Sequence, residues 1–302
     1  MQIKGRNSLV NTFFLALIVS LFAYCNAFTQ SNYQAEINAW HNNRIENLKS
    51  PNGWLNLIAL EWLKPGKNSI GSDSSCTISK NIANWDSLIG TFTLGAGEVV
   101  FKSAKNIPVY FGKQEIKSVK IFDFETEDNL ELTYKNYKFI IIKRGEKIGL
   151  RIRDLESPQM QKDLQIDRFT VDETYKIMAS LSKTDTTNFI AVDNVIGQTT
   201  QTPFAGMLKF TLKNQEFQLA AFDEGEDLFI VFADNTSGTE TYGGGRFLYA
   251  KKPKMGELVE LDFNKSYNPP CVFTNFATCP LPPKINFLNI KIEAGEKTVQ
   301  KN

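Results

Sequence analysis

The sequence predicts an all-β protein of mainly antiparallel sheets, arranged as a sandwich or barrel, with one N-terminal amphipathic helix. Short runs rich in Ile, Val, Phe and Tyr recur along the chain and are separated by turn residues, as antiparallel strands are. Hydrophobic residues make up 42% of the chain and Phe occurs 23 times, so the chain can bury a large core. No repeat of fixed period occurs, which disfavours solenoids and propellers.

The first 27 residues have the pattern of a cleavable secretion signal. Lys4 and Arg6 form a positive start, residues 13–24 are almost entirely apolar, and Cys25-Asn26-Ala27 ends the run. The run is shorter than the roughly 20 residues that a membrane-spanning helix needs, so a retained membrane anchor is the weaker alternative. No other segment is apolar enough to span a membrane, so no span is expected in the mature chain. An exported protein, periplasmic or secreted, is predicted. A lipoprotein is the weaker alternative, because bulky Tyr24 precedes the cysteine.

The charge balance argues against a polyanionic partner. Removal of Lys4 and Arg6 with the signal leaves 32 basic residues against 33 acidic ones, a net charge of about −1. A nucleic-acid-binding protein usually shows a basic excess or a basic stripe. We therefore expect no nucleic-acid partner, and the sequence predicts no oligomeric state.

The mature chain is predicted to start with a helix. Between residues 31 and 49, apolar residues such as Ile37, Trp40 and Leu48 recur at helical spacing, and a proline and a glycine then stop the run. Residues 54–63 form a dense apolar segment that ends at a Pro-Gly turn. We expect this segment to lie in the core.

The rest of the chain alternates short apolar runs with turn residues, as a meander of antiparallel strands does. In the first half these runs cover residues 116–124, 130–134, 137–143 and 148–152. In the second half they cover residues 175–182, 189–196, 206–212, 216–222 and 228–232. The Asn214-Gln215 pair is expected to form the turn of a hairpin.

A connection with little β-branching, residues 153–168, separates the two sets of strands. We place a boundary there. After the signal peptide of residues 1–27, residues 28–153 would form the helix and a sandwich-like β unit, and residues 154–302 a C-terminal β unit. The alternative is that both units form one compact domain.

Several common catalytic and cofactor motifs are absent from the sequence. His41 is the only histidine, which disfavours Ser-His-Asp and Cys-His hydrolases, and no His-Glu-x-x-His zinc motif occurs. Glycine-rich phosphate loops for nucleotides are also missing. We therefore expect no cofactor and no metal ion. His41 itself, next to Trp40 on the predicted helix, is expected at the surface.

The segment around Arg246 is the most informative part of the sequence. Three consecutive glycines precede this arginine, and such a run weakens a strand unless the backbone must approach another group closely or adopt positive φ. A guanidinium beside exposed backbone amides suits a carboxylate or phosphate. We therefore expect a site for a small anionic molecule. The predicted ligand-binding residues are Tyr242, Gly243, Gly244, Gly245, Arg246 and Tyr267.

A structural interpretation of the same segment competes with ligand binding. In it, the glycines form a tight turn, Asp234 bonds to its own backbone, and Arg246 pairs with a carboxylate such as Asp262. The motif would then be a rigid packing core that supports an interaction surface. The absence of a pocket beside Arg246 would favour this interpretation.

An enzyme is the second alternative, and the sequence does not choose between enzyme and binding protein. Asp234, Glu240 and Asp262 are candidate catalytic carboxylates, with Tyr242 or Tyr267 as a partner. Paired carboxylates can hydrolyse glycosides without histidine or metal if they face each other about 5 to 10 Å apart across an open cleft. Their burial as partners of Arg246 would argue against this function.

Cys271 and Cys279 lie eight positions apart in a proline-rich segment. In an oxidising compartment the simplest expectation is a disulfide, which would stabilise the fold by roughly 2.6 kcal/mol. Two reduced thiols and a metal site are the alternatives. No Cys-x-x-Cys spacing supports a metal site.

These motifs together resemble a bacterial family known as domain of unknown function 1684. The resemblance rests on six segments, which are residues 40–63, 66–71, 228–249, 262–271, 276–283 and 294–297. It covers nearly the whole mature chain but implies no activity, because the family has no established function. Its members without a signal keep the cysteine pair, which implies a role for that pair beyond an extracellular staple.

Residues 66–78 also resemble the opening of a forkhead-associated domain, which is a β-sandwich. This likeness implies a sandwich in the first half of the chain. Ser72 stands where that family holds phosphate with an arginine, which puts phosphopeptide binding in doubt.

Overall fold

The computed structural model describes residues 31–82, 84–126, 128–182, 188–254 and 256–299. The predicted fold class is confirmed, because the chain consists mostly of antiparallel β-sheets with one main helix near the N-terminus. The predicted secretion signal lies outside the described residues. Among the described residues, none of the helices has the length and apolar character that a membrane crossing requires.

Helix α1 covers residues 31–49, as the spacing of its apolar residues predicts. Ile37 and Leu48 are fully buried on its inner face. At its start, the Tyr33 hydroxyl donates a hydrogen bond to Asp262 Oδ1 at 2.8 Å. The helix therefore packs against residues from the second half of the chain.

The first half of the chain forms two facing sheets. Its strands are β1 (Leu57–Trp62), β2 (Gly66–Gly71), β3 (Ile78–Ser79), β4 (Gly90–Gly95), β5 (Glu98–Ser103), β6 (Val109–Phe111), β7 (Gln114–Ile116), β8 (Ser118–Asp123), β9 (Leu132–Tyr134), β10 (Tyr137–Arg144) and β11 (Lys147–Asp154). One sheet has the order β3-β2-β4-β5-β8 and the other the order β1-β11-β10-β9-β6-β7. The Phe92 ring of β4 meets the Phe139 ring of β10 edge-on at 6.0 Å, in one shared core. The arrangement is a sandwich.

The second half forms a sheet that nearly closes into a barrel. After the short helix α2 (Pro158–Gln161), its strands are β12 (Lys176–Ser182), β13 (Phe189–Asp193), β14 (Thr199–Leu212), β15 (Gln215–Glu224), β16 (Asp227–Asp234), β17 (Arg246–Lys251), β18 (Val259–Asp262) and β19 (Phe287–Leu288). The order is β17-β16-β15-β14-β12-β18, with β13 beside β14 and β19 parallel to β16. The end strands β17 and β18 contact each other, which gives the sheet its barrel-like shape.

The hairpin of β14 and β15 turns one residue earlier than predicted. Lys213 and Asn214 occupy the turn, with φ of 48° and 62°. Two consecutive residues with positive φ are typical of a type I′ turn, whose twist matches that of the flanking strands. Gln215 is already the first residue of β15.

The irregular segment of residues 263–286 lies between the sandwich and the barrel. Its Thr274 hydroxyl donates to the Leu57 carbonyl of β1 at 3.1 Å, and its Leu281 amide donates to the Asp193 carbonyl of β13 at 2.7 Å. This segment therefore links both halves of the chain. The division into units at residues 153 and 154 stays a prediction.

Candidate functional site

Arg246, the centre of the predicted ligand site, is completely buried, with 0% of its side chain exposed. Its Nη2 group donates to Asp234 Oδ2 at 2.8 Å and to the Ile292 carbonyl at 2.9 Å. Its Nη1 group donates to the Ala294 carbonyl. Burial lowers the pKa of Arg246, and the charge of Asp234 acts in the opposite direction. The guanidinium therefore joins β16, β17 and the C-terminal segment, and a ligand has no access to it.

The glycines before Arg246 serve the packing of the turn. Gly245 has a φ of 82°, and a Cβ atom there would lie 2.4 Å from Pro282 Cγ. A Cβ atom on Gly244 would lie 2.5 Å from the Tyr242 ring, whereas a Cβ atom on Gly243 would come no closer than 3.5 Å to Gly238. The close approach that consecutive glycines predicted therefore occurs, but it is made by protein atoms.

The structure also corrects the predicted partner of Arg246. Asp234, not Asp262, pairs with this arginine, and Asp234 Oδ1 accepts bonds from the amide and hydroxyl of Thr236 at 2.8 and 2.7 Å. Asp262 instead accepts bonds from Tyr33 and Asn264. The contacts of the motif are those of the structural interpretation.

The three candidate catalytic carboxylates do not meet across a cleft. Asp234 and Asp262 are buried in the contacts described above, and Glu240 pairs at 2.9 Å with Lys291 at the surface. The predicted partner Tyr267 stacks on Tyr249, with ring centroids 6.4 Å apart. Within the described residues, no group of His, Cys, Asp or Glu side chains could hold a metal ion.

The predicted disulfide between Cys271 and Cys279 is not present in the structure, because the two sulfur atoms are not within disulfide distance. The Cys271 amide donates to Cys279 Sγ at 3.1 Å, and Cys271 Sγ donates to the Tyr242 hydroxyl at 3.7 Å. Burial and the hydrogen bond with the Cys271 thiol raise the pKa of Tyr242 to about 12. The sulfur atoms thus take part in a hydrogen-bonded chain in place of a covalent bond.

We expect Cys279 to react slowly with iodoacetamide at pH 7.5 in the native protein. Its hydrogen bond with Cys271 and its burial both raise the pKa of the Cys279 thiol, and the thiolate is the reactive form. Mass spectrometry of digested protein measures the extent of labelling. After unfolding without a reductant, both cysteines should be labelled completely, and a disulfide-linked peptide pair would contradict this structure.

His41 is buried, which corrects the expected surface position. Only 8% of the residue is exposed. Burial lowers the pKa of His41, and the nearby charges of Arg168 and Arg44 lower it further. The backbone of Ile166, in the chain that precedes the barrel, acts on this pKa in the opposite direction.

We expect the free energy of unfolding to fall as the pH drops below the ordinary histidine pKa of 6.5. Because the pKa of His41 is lower in the folded state, the unfolded state takes up the proton first. The contribution of neutral His41 to the stability of the folded state is complete above pH 6.5 and is lost as the pH falls below that value. Urea unfolding at pH 7.5 and 5.5 measures the difference, and the His41→Gln variant should show a smaller one. Equal pH dependence in both proteins would show that His41 titrates normally.

Two other arginines lie in an open cleft between the sandwich and the barrel. Arg144 ends β10 and Arg151 lies within β11, so one hairpin carries both. The cleft has a volume of about 370 Å³. We call it the arginine cleft, and its polar lining includes Arg144, Arg151, Asn194, Thr202, Glu224 and Thr278.

The strand alternation of β11 places Arg151 in this cleft. Leu150 and Ile152 point into the sandwich core, so Arg151 between them points to the opposite face. Its cross-strand neighbours are Leu60 on β1 and Ile140 on β10. No acid therefore stands opposite this arginine on either adjacent strand.

Neither arginine of the cleft has a carboxylate partner among the described residues. Arg144 Nε donates to Thr278 Oγ1 at 2.9 Å. The Arg151 guanidinium lies over the Trp54 ring at 5.1 Å, and its buried Nε finds no acceptor in the described part of the chain. Glu224 also lines the cleft, but it accepts its hydrogen bond from the Tyr249 hydroxyl at 2.7 Å.

The electrostatics of the cleft favour an anion. Burial lowers the pKa of Arg151 to about 10, and repulsion from Arg144 and Arg153 contributes to this shift. Burial lowers the pKa of Arg144 as well. Both side chains are still protonated at neutral pH, so the cleft holds two partly desolvated positive charges close together. A bound carboxylate or phosphate would compensate them.

Sequence reasoning did not identify Arg144 and Arg151 as site residues. The alternation of Arg151, Ile152 and Arg153 resembles a strand with one wet face. The available signal was that no acidic residue stands directly opposite Arg151 on β1 or β10, where its neighbours are Leu60 and Ile140. The rest of the cleft lining comes from Trp54 and from residues 192–280, far from this hairpin in the sequence.

The fold and the cleft define an all-β protein with a sandwich, a barrel-like sheet and a cationic cleft between them. The family model described as "Protein of unknown function (DUF1684)" matches residues 164–297. The match assigns residues 164–297 to this family, as the motifs in that segment predict. Arg144 and Arg151 precede the matched residues.

One solved structure similar to this chain is the solution NMR structure of an uncharacterized protein of Haloarcula marismortui. The two sequences are 30% identical, and the match covers 47% of this chain and 80% of that chain, with a TM-score of 0.39. No curated protein matches the chain.

Proposed function

We propose that the protein binds a small anionic molecule in the arginine cleft, with Arg144 and Arg151 as the receiving groups. The proposal keeps the ligand class that the sequence suggested and changes the site. The Arg246 guanidinium donates hydrogen bonds to Asp234 and to two backbone carbonyls. The guanidinium of Arg151, in contrast, has no carboxylate partner in the described residues.

The observation that carries the proposal is that two guanidinium groups without a carboxylate partner in the described residues, the buried one of Arg151 and the half-buried one of Arg144, line one open cavity. Placing such charges out of water costs free energy, and no carboxylate in the described residues offsets this cost. A binding site explains the cost, because a desolvated arginine binds a carboxylate or phosphate more strongly than a solvated one does. The hydroxyl groups of Thr202 and Thr278 add hydrogen-bonding capacity beside the arginines.

Carboxylate-based hydrolysis receives no support from these contacts. It requires two carboxylates that face one open cleft. The arginine cleft contains one carboxylate, Glu224, among the described lining residues, and Asp234 is committed to Arg246. Binding is therefore the function that we favour.

Thermal unfolding in inorganic phosphate tests the proposal. At a concentration about 100-fold above the dissociation constant, ligand binding stabilises the folded state by about 2.7 kcal/mol, or roughly 5 °C for a protein of this size. Phosphate also stabilises proteins nonspecifically, so the comparison is with an Arg144→Gln variant and with sodium chloride at equal ionic strength. We expect the extra stabilisation in the wild type and not in the variant. An equal shift in both proteins would contradict the proposal.

A further inference from the structure

We propose that the ligand carries a planar ring as well as its anionic group, and that the ring binds in a second compartment beside the arginine cleft. This inference rests on the proposed function. The second compartment has a volume of about 450 Å³ and opens between helix α1 and the barrel. We call it the aromatic compartment, and its rings are Trp40, Trp54, Phe229, Phe247, Tyr249 and Tyr267.

The two compartments adjoin. Trp54, Phe229, Phe247 and Pro270 contribute to the lining of both. Trp54 faces the arginines on one side, since the Arg151 guanidinium lies 5.1 Å from the centre of its ring. A molecule with its anionic group on the arginines therefore has an aromatic surface within reach.

The rings of the aromatic compartment are held in place by contacts with one another and with Glu224. Phe229 and Phe247 meet edge-on at 4.9 Å, and Tyr249 and Tyr267 stack with an interplanar angle of 11°. The Tyr249 hydroxyl is held by Glu224 at 2.7 Å. Rings that support one another in this way keep a fixed shape, and a preformed apolar pocket with few polar groups is the usual form of a small-molecule site.

The charge in the aromatic compartment is already balanced, which distinguishes it from the arginine cleft. Arg44 lies over the Tyr267 ring at 4.5 Å, and its Nε atom is 3.6 Å from Glu296 Oε1. Its Nη2 group donates to the Asn268 carbonyl at 2.9 Å. The anionic group therefore belongs at Arg144 and Arg151, and the ring belongs among the aromatic side chains.

Isothermal titration calorimetry with matched anions tests this division. Phenyl phosphate is compared with inorganic phosphate, and phenylacetate with acetate. We expect each ring-bearing anion to bind at least tenfold more tightly than its simple counterpart, because the ring buries apolar surface. The Trp40→Leu variant changes only the aromatic compartment, so it should lose most of this gain and keep its affinity for inorganic phosphate. Phe287→Leu, at an exposed phenylalanine outside both compartments, should keep both affinities.

The outcomes separate the two proposals. Equal affinity for ring-bearing and simple anions, both lost in Arg144→Gln, would leave the arginine site standing and overturn the aromatic compartment. A gain from the ring that survives in Trp40→Leu would also overturn it. No binding of any of the four anions would overturn the anion site itself, and with it the inference. Retained phosphate binding by Trp40→Leu shows that this variant is folded.

Discussion

Replacement of Arg246 with Ala is expected to lower the free energy of unfolding by about 3 to 5 kcal/mol. The substitution leaves the buried Asp234 carboxylate without its cation and removes the donor to the carbonyls of Ile292 and Ala294. Arg246→Lys should recover little of this loss, because one ammonium group cannot reproduce the planar fork that reaches all three acceptors. Urea unfolding followed by circular dichroism measures the change.

Lys251→Ala is the matched control for this prediction. Lys251 lies on the same strand as Arg246, but it is exposed and pairs with Asp227 at 2.7 Å. Exposed ion pairs contribute about 0 to 1 kcal/mol, so its loss should change the unfolding midpoint little. A variant of Arg246 that is as stable as this control but no longer binds phosphate would show that Arg246 faces the ligand.

Replacement of Arg151 with Met is expected to abolish most anion binding and to leave the protein as stable as before or more stable. Removal of a charged hydrogen bond to the anion should weaken phosphate binding roughly 10- to 150-fold. In the absence of an anion, the same change removes a buried charge that Arg144 and Arg153 repel. Methionine keeps much of the packing on the Trp54 ring.

Arg153→Met provides the comparison on the same face of β11. Arg153 donates to Asn56 Oδ1 at 2.7 Å and to the Gly53 carbonyl, so this arginine holds the chain before β1 in place. Its loss should destabilise the fold and leave phosphate binding nearly intact. The two variants thus have opposite expected effects. Destabilisation by Arg151→Met equal to that by Arg153→Met would assign Arg151 to the fold.

Much of the fold follows from local sequence patterns. Helix α1 and the strands after residue 116 carry clear helical or alternating spacing of apolar residues, and the structure has these elements. Strands such as β2 were not predicted individually, because the sequence Gly66–Gly71 contains one large apolar side chain, Ile70. Asn68 is buried in β2 because it bonds to the carbonyls of Lys64 and Gly66, which a pattern of hydrophobicity does not reveal.

The candidate site was less accessible to sequence reasoning, because distant segments decide which arginines meet solvent. The three glycines before Arg246 predict a close approach, which Pro282 and the Tyr242 ring make. The Arg246 guanidinium binds the carbonyls of residues 292 and 294. The local sequence around an arginine does not distinguish an arginine that binds a ligand from one that binds backbone carbonyls. Export, predicted from the first 27 residues, stays a prediction.

The central claim is that an anion binds at Arg144 and Arg151 and not at Arg246. Nuclear magnetic resonance of the arginine Nε–Hε groups during a phosphate titration tests it most directly, because each guanidinium reports on its own surroundings. We predict that the resonances of Arg144 and Arg151 shift and reach saturation, while that of Arg246 stays unchanged. A saturable shift at Arg246, or no shift at Arg144 and Arg151, would contradict this assignment.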